Sequence, residues 1–251
     1  MKILVTGGAG FIGSHTVVEL FSNGDVPIIV DDFRNSEPFI LERIKEITGN
    51  TPVFYNIDCL DLKGLEGVFE IEKPEGVVHF AAYKAVGESV EKPVMYYENN
   101  IGTLVSLLKL VPQHNINYFV FSSSCTVYGD PEVIPVTEQN PIQEASSPYG
   151  YTKQVCEKIL QDFCKVNQSV KTVLLRYFNP IGAHPSGLIG ELPNGIPNNL
   201  VPYVAQTAAG KRDQLTINGG DYNTSDGTCI RDYIHVSDLA DAHVKAFKFL
   251  Q

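Results

Sequence analysis

A doubly wound α/β fold, with one parallel sheet covered by helices on both faces, is predicted by three features of the sequence. Short β-branched runs alternate with amphipathic stretches through residues 1–178. The strand candidates are apolar throughout, the mark of strands buried on both faces. The first strand runs directly into a turn with glycines at every third position, at the start of a helix.

Ile3-Leu4-Val5 reads as the first buried strand. The helix from Gly13 to Phe21 packs through Val17, Val18, Leu20 and Phe21 and is stopped by Asn23-Gly24. Ile28-Ile29-Val30 is the second strand, ending at Asp31-Asp32. Ile40 to Ile47 is helical, Val53-Phe54-Tyr55 is a strand, and Asp61 can cap a short helix to Phe69. Val77-Val78-His79-Phe80 is the fourth strand; a long helix follows from about Val94 to Val111. Tyr118-Phe119-Val120-Phe121 is the fifth strand, Pro148 opens a helix to Val166, and Thr172-Val173-Leu174-Leu175 is the sixth. Right-handed crossovers then wind the sheet both ways. After Arg176 the texture changes. Asn179 to Gly195 is rich in Gly and Pro and reads as loop. Leu200 to Ala209 is helical, Leu215-Thr216-Ile217 a short strand, Asp221 to Thr228 a polar loop, and Ser237 can cap a last helix to Phe249.

The composition, 43% hydrophobic and 19% charged, is ordinary for a globular protein, and the net charge of −10 argues against nucleic acid or an anionic membrane as partner. No apolar run is long enough to span a bilayer. Met1 leads straight into the first strand, so no leader is expected ahead of the fold. Five cysteines without a Cys-x-x-Cys, and six histidines without ligand spacing, point to free buried thiols in a reducing cytoplasm and to no metal.

Gly7, Gly10 and Gly13 form G-x-x-G-x-x-G between strand and helix. Glycine allows close backbone approach to a pyrophosphate, and the helix N-terminus faces the negative charge. Asp31 and Asp32, at the end of the second strand, can accept from ribose hydroxyls and would repel a 2′-phosphate, which favours NAD over NADP; of the two, Asp31 is the better placed. Arg34 is a counter-signal, because an arginine nearby could hold such a phosphate. Asp58-Cys59, after the third strand, lies at the edge where adenine would sit.

Tyr149 and Lys153 are four apart and share a helix face. A free phenol titrates near 10. A neighbouring ammonium and a positive nicotinamide both favour phenolate, so the spacing predicts a lowered pKa and a base for a sugar or alcohol hydroxyl. Ser124, just past the fifth strand, would hydrogen-bond the reacting oxygen. Tyr151 has no lysine at the same spacing. His79, inside a strand, reads as a core histidine.

Longer motifs extend the pattern: Thr6-Gly7-Gly8-Ala9-Gly10-Phe11-Ile12-Gly13-Ser14-His15, Lys84-Ala85-Val86-Gly87-Glu88-Ser89, Phe121-Ser122-Ser123-Ser124-Cys125-Thr126-Val127-Tyr128-Gly129, Leu175-Arg176-Tyr177-Phe178-Asn179-Pro180-Ile181-Gly182, Gly195-Ile196-Pro197-Asn198-Asn199-Leu200 and Arg231-Asp232-Tyr233-Ile234-His235-Val236. On these the chain resembles the extended short-chain dehydrogenase/reductase family, and within it the sugar-nucleotide 4-epimerases. The resemblance implies a Rossmann-like NAD domain over residues 1–178. It also implies a smaller, C-terminally incomplete UDP-sugar lobe over 179–251, with segments crossing between the lobes. It implies Tyr149 as base, Lys153 as its electrostatic partner and Ser124 as helper. NAD would be bound by Gly7, Gly10, Phe11, Ile12, Gly13, Asp31, Asn35, Ser36, Asp58, Cys59, Phe80, Ala81, Ala82, Lys84, Asn99, Ser122 and Tyr177, together with Tyr149 and Lys153. The UDP-sugar would meet Lys84, Ser124, Tyr149, Phe178, Asn179, Asn199, Leu200 and Arg231. The implied reaction inverts C4 of a UDP-hexose, in a homodimer built from the helices near Val94–Val111 and Pro148–Val166.

Some positions depart from the family. Cys125 replaces a common Ala, Ala82-Tyr83 a usual Gly-Leu, and Asn218 a usual aromatic. Family members continue well past residue 251, so the expectation for this polypeptide is a complete NAD half and an open sugar-nucleotide site. A 4,6-dehydratase needs an acid pair after the serine strand, where this chain has Cys125-Thr126-Val127. An epimerase for another UDP-sugar, such as a UDP-N-acetylhexosamine, and a non-catalytic NAD-binding regulator remain as alternatives.

Overall fold

The computed structural model describes residues 1–217 and 219–251; the departure at Asn218 lies outside the described residues. Six strands form one parallel sheet: β1 (Lys2–Thr6), β2 (Val26–Asp31), β3 (Val53–Asn56), β4 (Gly76–His79), β5 (Tyr118–Ser122) and β6 (Lys171–Leu175). Their order is β3-β2-β1-β4-β5-β6, and each neighbouring pair is parallel. The winding reverses between β1 and β4, the place where an open α/β sheet leaves a crevice beyond its strand ends. A hydrogen bond of 2.6 Å between the Thr6 hydroxyl and His79 Nδ1 ties those two strands at that edge. Burial drives the His79 imidazole down to about 3, so it is neutral core, as its position in a strand predicts.

Alternation along the strands sends side chains into two cores. Leu4, Ile28, Val77, Phe119 and Phe121 pack beneath α3 (Leu62–Glu72), α6 (Gly102–Leu110) and α7 (Pro148–Val166). Ile3, Val5, Ile29, Val78 and Val120 pack beneath α1 (Phe11–Ser22), α2 (Phe39–Thr48) and α9 (Val236–Leu250). The last helix therefore returns to the sheet: Val244, Phe247 and Leu250 of α9 share a core with β1 and α1. As expected, Asp61 caps α3, its carboxylate accepting from the Gly64 N–H. The Ser147 hydroxyl caps α7 just before Pro148.

Four expectations are corrected. A short helix, α4 (Val86–Glu91), precedes the long helical run, which starts at Pro93 with α5 (Pro93–Tyr96) and is interrupted by a π-turn over Tyr97–Ile101 before α6. The extra residue of that turn lets Asn99 and Asn100 both be buried. Asn179–Ile181 is a strand (β7), not loop; it pairs in parallel with β8 (Tyr233–His235) in a second, two-stranded sheet. Leu215-Thr216-Ile217 forms no strand. His235, not Ser237, caps α9, since its ring nitrogen accepts from the Ser237 N–H at 3.2 Å. Helix α8 is Leu200–Ala208. All five thiols are free; Cys59 and Cys156 are buried, but Cys229 is exposed. No helix of the described residues is long and apolar enough to cross a membrane, and none of their acidic, Cys or His side chains cluster as metal ligands.

Candidate active site

A cleft of about 920 Å³ opens beyond the carboxyl ends of the strands. That volume is at the upper end of the range for small-molecule sites. One end is the glycine cradle. Gly7 sits at φ +70°, and a Cβ there would come within 2.9 Å of the Ala81 nitrogen. A Cβ at Gly13 would collide with the Gly7 carbonyl. No side chain caps α1, so its first-turn N–H groups face the cleft, as a pyrophosphate requires. The cradle thus fits a dinucleotide.

Asp31 braces this cradle. Its carboxylate accepts from the Ala9 N–H (3.0 Å), the Phe33 N–H (3.0 Å) and the Ser36 hydroxyl (2.7 Å). A carboxylate offers about four acceptor positions, which leaves about one for a ribose hydroxyl. Burial raises its pKa and those bonds oppose the shift. Asp32 pairs with Arg34 at 2.6 Å. Burial raises the neighbouring Cys59 thiol.

The other end holds the chemical groups. Ser124 is buried beyond β5, where its Oγ accepts from the Thr126 N–H and opens a 3₁₀ turn over Cys125–Tyr128. Tyr149 lies in the first turn of α7 and lines the cleft. One turn on, the buried Lys153 donates to the Ser122 carbonyl (2.8 Å); its ammonium lies 5.9 Å from the centre of the Tyr149 ring and 4.9 Å from that of Phe121. Burial pulls the lysine down to about 8, while Cys156 and Glu157 oppose the shift. In the protein alone burial pushes the Tyr149 phenol up to about 12, with Ser124 opposing part of that shift. In the protein alone the lysine's field does not overcome desolvation.

The sheet edge under these groups is heavily tied. Ser122 Oγ and the Tyr177 hydroxyl share a bond of 2.6 Å, and burial raises the Tyr177 phenol. Ser123 Oγ donates to Glu157 (2.5 Å), a buried carboxylate also held by both Arg176 Nε (3.0 Å) and a terminal guanidinium nitrogen (2.6 Å). The Cys125 N–H donates to the Tyr177 carbonyl. Ser124 is thus set between two bonded neighbours.

The cleft gathers most of the residues implied by sequence: Gly7, Gly10, Phe11, Ile12, Gly13, Asp31, Asn35, Ser36, Asp58, Cys59, Phe80, Ala81, Ala82, Lys84, Asn99, Ser124, Tyr149, Lys153, Tyr177, Phe178, Asn179 and Asn199. It does not gather Ser122, Leu200 or Arg231. Ser122 lies one layer below and acts on Lys153 and Tyr177. Leu200 is half exposed on α8. Arg231 is exposed and donates to the Ile230 carbonyl. Tyr151 is half exposed, away from the cleft, against Tyr97.

Sequence reading missed Asn100 and Glu191, and marks Tyr83 only as a departure from the family. Asn100 bonds the N–H and carbonyl of Tyr83 (2.8 and 3.0 Å) and the Thr152 hydroxyl of α7 (3.1 Å). Two consecutive asparagines inside a helical run, a poor choice for helix propensity, were its available signal. Glu191 accepts from Lys84 (3.2 Å) and Asn199 (2.5 Å) across the cleft, and nothing in its Gly/Pro-rich surroundings marks it.

A family model described as the NAD dependent epimerase/dehydratase family matches residues 3–251. The UDP-glucose 4-epimerase of Dictyostelium discoideum is 53% identical over 249 residues, which cover 99% of this chain and 72% of that protein. That of Bacillus subtilis is 53% identical over 248 residues, covering 99% and 73%. The crystal structure of the UDP-glucose 4-epimerase from Bifidobacterium longum in complex with NAD+ and UDP matches with a TM-score of 0.96 and 49% identity, over 99% of this chain and 74% of that one.

Proposed function

This chain belongs to the NAD dependent epimerase/dehydratase family, and from that premise we propose that it inverts C4 of a UDP-hexose, interconverting UDP-glucose and UDP-galactose through a 4-keto sugar. The observation that carries the reading is the convergence of Ser124, Tyr149 and Lys153 at one end of a cleft whose other end is the glycine cradle.

The fold's residues divide the work. The first-turn N–H groups of α1 would hold the pyrophosphate of NAD, Asp31 the adenosine ribose, and Asp58 and Cys59 would meet the base. Bound NAD would supply the hydride acceptor and donor for C4, and its positive ring would add to the field that favours phenolate. Tyr149 takes the 4-hydroxyl proton and later gives it back. Ser124, which lines the cleft beside Tyr149, would hold the reacting oxygen in line. Lys153 supplies positive charge behind the Tyr149 ring and is itself oriented by the Ser122 carbonyl. Lys84, Phe178, Asn179 and Asn199 line the wall assigned to the UDP-sugar, and Arg231 and Leu200, outside that lining, are assigned to it from the family resemblance alone. Residues 1–178 form the NAD half and 179–251 the partial UDP-sugar side, whose last helix, α9, crosses back to pack on the NAD half. Exposed Val94 on α5 and Tyr151 on α7 support a homodimer through these helices, and free thiols support a cytoplasmic setting.

The test is conversion of UDP-galactose to UDP-glucose by the purified polypeptide. Tyr149→Phe should lower kcat by about 10³-fold, within the usual range for a lost acid–base group, while NAD stays bound. Retention of most of the rate in that variant would overturn the assignment.

A further inference from the structure

Arg34 joins three side chains at the cleft rim, and its bonds do not serve the chemistry described above. Its guanidinium reaches three loops. It pairs with Asp32 of the loop after β2 (2.6 Å) and with Asp58 of the loop after β3. It donates to the hydroxyl of Tyr83, in the loop after β4, at 2.8 Å, and its carbon lies 5.8 Å from the centre of that ring. Its carbonyl accepts from Asn194, on the opposite wall, at 3.5 Å. Arg34, Asp32, Asp58, Tyr83 and Asn194 all line the cleft, at the end where Asp31 braces the cradle.

Tyr83 is not a free surface phenol. Asn100 pins its backbone on both sides, and its ring stacks at a tilt on the buried Tyr96, 5.5 Å between centres. Asn100 in turn bonds Thr152, whose hydroxyl donates to the Tyr149 carbonyl at 2.6 Å. A continuous chain of bonds therefore runs from the rim at Arg34 to the helix turn that carries Tyr149.

Two roles are open to an arginine here. A free guanidinium beside the ribose would hold a 2′-phosphate. Arg34 is instead matched by two carboxylates, so little charge is left for a phosphate. We propose that Arg34 and Tyr83 form a latch across the adenosine end of the cleft, which retains NAD between turnovers and so keeps it as a resident group. The proposal rests on the NAD reading above. Retention matters for a reaction that returns its hydride, because a cofactor lost in mid-cycle leaves a reduced cofactor and a stranded keto sugar.

The experiment measures NAD release, not turnover. Wild type, Arg34→Met, Tyr83→Phe and the double variant are loaded with NAD, then chased with charcoal, and the NAD left on the protein is followed with time. Arg34→Met should speed release about tenfold, which corresponds to ~1.4 kcal/mol, and Tyr83→Phe several-fold. The double variant should release no faster than Arg34→Met, since both substitutions break one bond. Added salt should speed release from wild type and not from Arg34→Met, because exposed ion pairs are screened. Equal release rates in all four proteins, or additive effects, would overturn the latch. Tight NADP binding by wild type that is lost in Arg34→Met would make Arg34 a phosphate anchor and overturn it too. A wild type that takes up no NAD would instead reject the underlying reading. Tyr83→Phe deletes one oxygen and keeps the ring, so it serves as the control for any folding defect in Arg34→Met.

Discussion

The two walls of the cleft are built from similar residues by different physics. On the sheet side, β1, β4 and β5 are buried along nearly all their length, and Ser122, Ser123 and Ser124 leave β5 into a web of side-chain bonds. On the other side, several apolar side chains between Leu192 and Ile230 find little cover among the described residues. Of the residues of α8 only Pro202 is buried, while Leu200 is 52% and Val204 40% exposed, and Ile196 and Ile230 are exposed by more than two thirds. The lesson is that position is over-determined where proton transfer is proposed and loosely held where the UDP-sugar is proposed to lie. Such differences in local stability are usual between catalytic framework and ligand-binding loops.

The comparison is broken most directly by Glu157→Ala on the tight side. It leaves Arg176 partly buried without its carboxylate and Ser123 without an acceptor. Loss of one partner from a buried pair costs about 3–5 kcal/mol. Urea unfolding should show that loss, and kcat should fall with it because Ser124 is no longer set between bonded neighbours. An unchanged midpoint would mean that the web is incidental to the rigidity of this wall.

The contrast also explains what was legible in the sequence. All six strands of the main sheet could be read, because a strand covered on both faces must be apolar at every position. The cradle and the Tyr149–Lys153 pair could be read because spacing alone fixes their geometry. The β7–β8 pairing could not: Asn179–Ile181 and Tyr233–His235 have three residues each, too few for a period, and lie far apart in the chain. The π-turn was hidden because one extra residue does not disturb apolar periodicity enough to show. Spacing reports the charge near Tyr149 and not its depth of burial, which raises the phenol in the protein alone. Sequence marks Arg34 only as a possible phosphate holder, since its partners Asp58 and Tyr83 come from other loops.

Acid stability sharpens the comparison at a smaller scale. Burial holds His15 at about 4, His79 at about 3 and His243 at about 4 in the folded chain. Each ordinarily titrates near 6.5, so between about 4 and 6.5 the unfolded chain binds more protons than the folded one. Their contribution is present above 6.5 and is lost as pH falls toward 4. His243 packs against Phe80 and Tyr177, and its Nε2 has no partner among the described residues. His243→Phe should therefore flatten the fall of unfolding free energy with acid by about 1.4 kcal/mol per pH unit, one proton's worth. An identical slope would place the acid-sensitive step elsewhere.

The smallest effect is expected on the loose side, where its smallness is the point. Val204 lies on the uncovered face of α8, with most of its neighbours in solvent. Val204→Ala removes two methyl groups that are already partly hydrated and adds a better helix former. The change in unfolding free energy should stay within about 0.5 kcal/mol. Leu65→Ala, in the fully buried core beneath the sheet, should cost about 2–5 kcal/mol by the same measurement. A cost for Val204→Ala approaching that of Leu65→Ala would mean that this face of α8 is covered in solution, and the two walls would then be far more alike than their side-chain burial indicates.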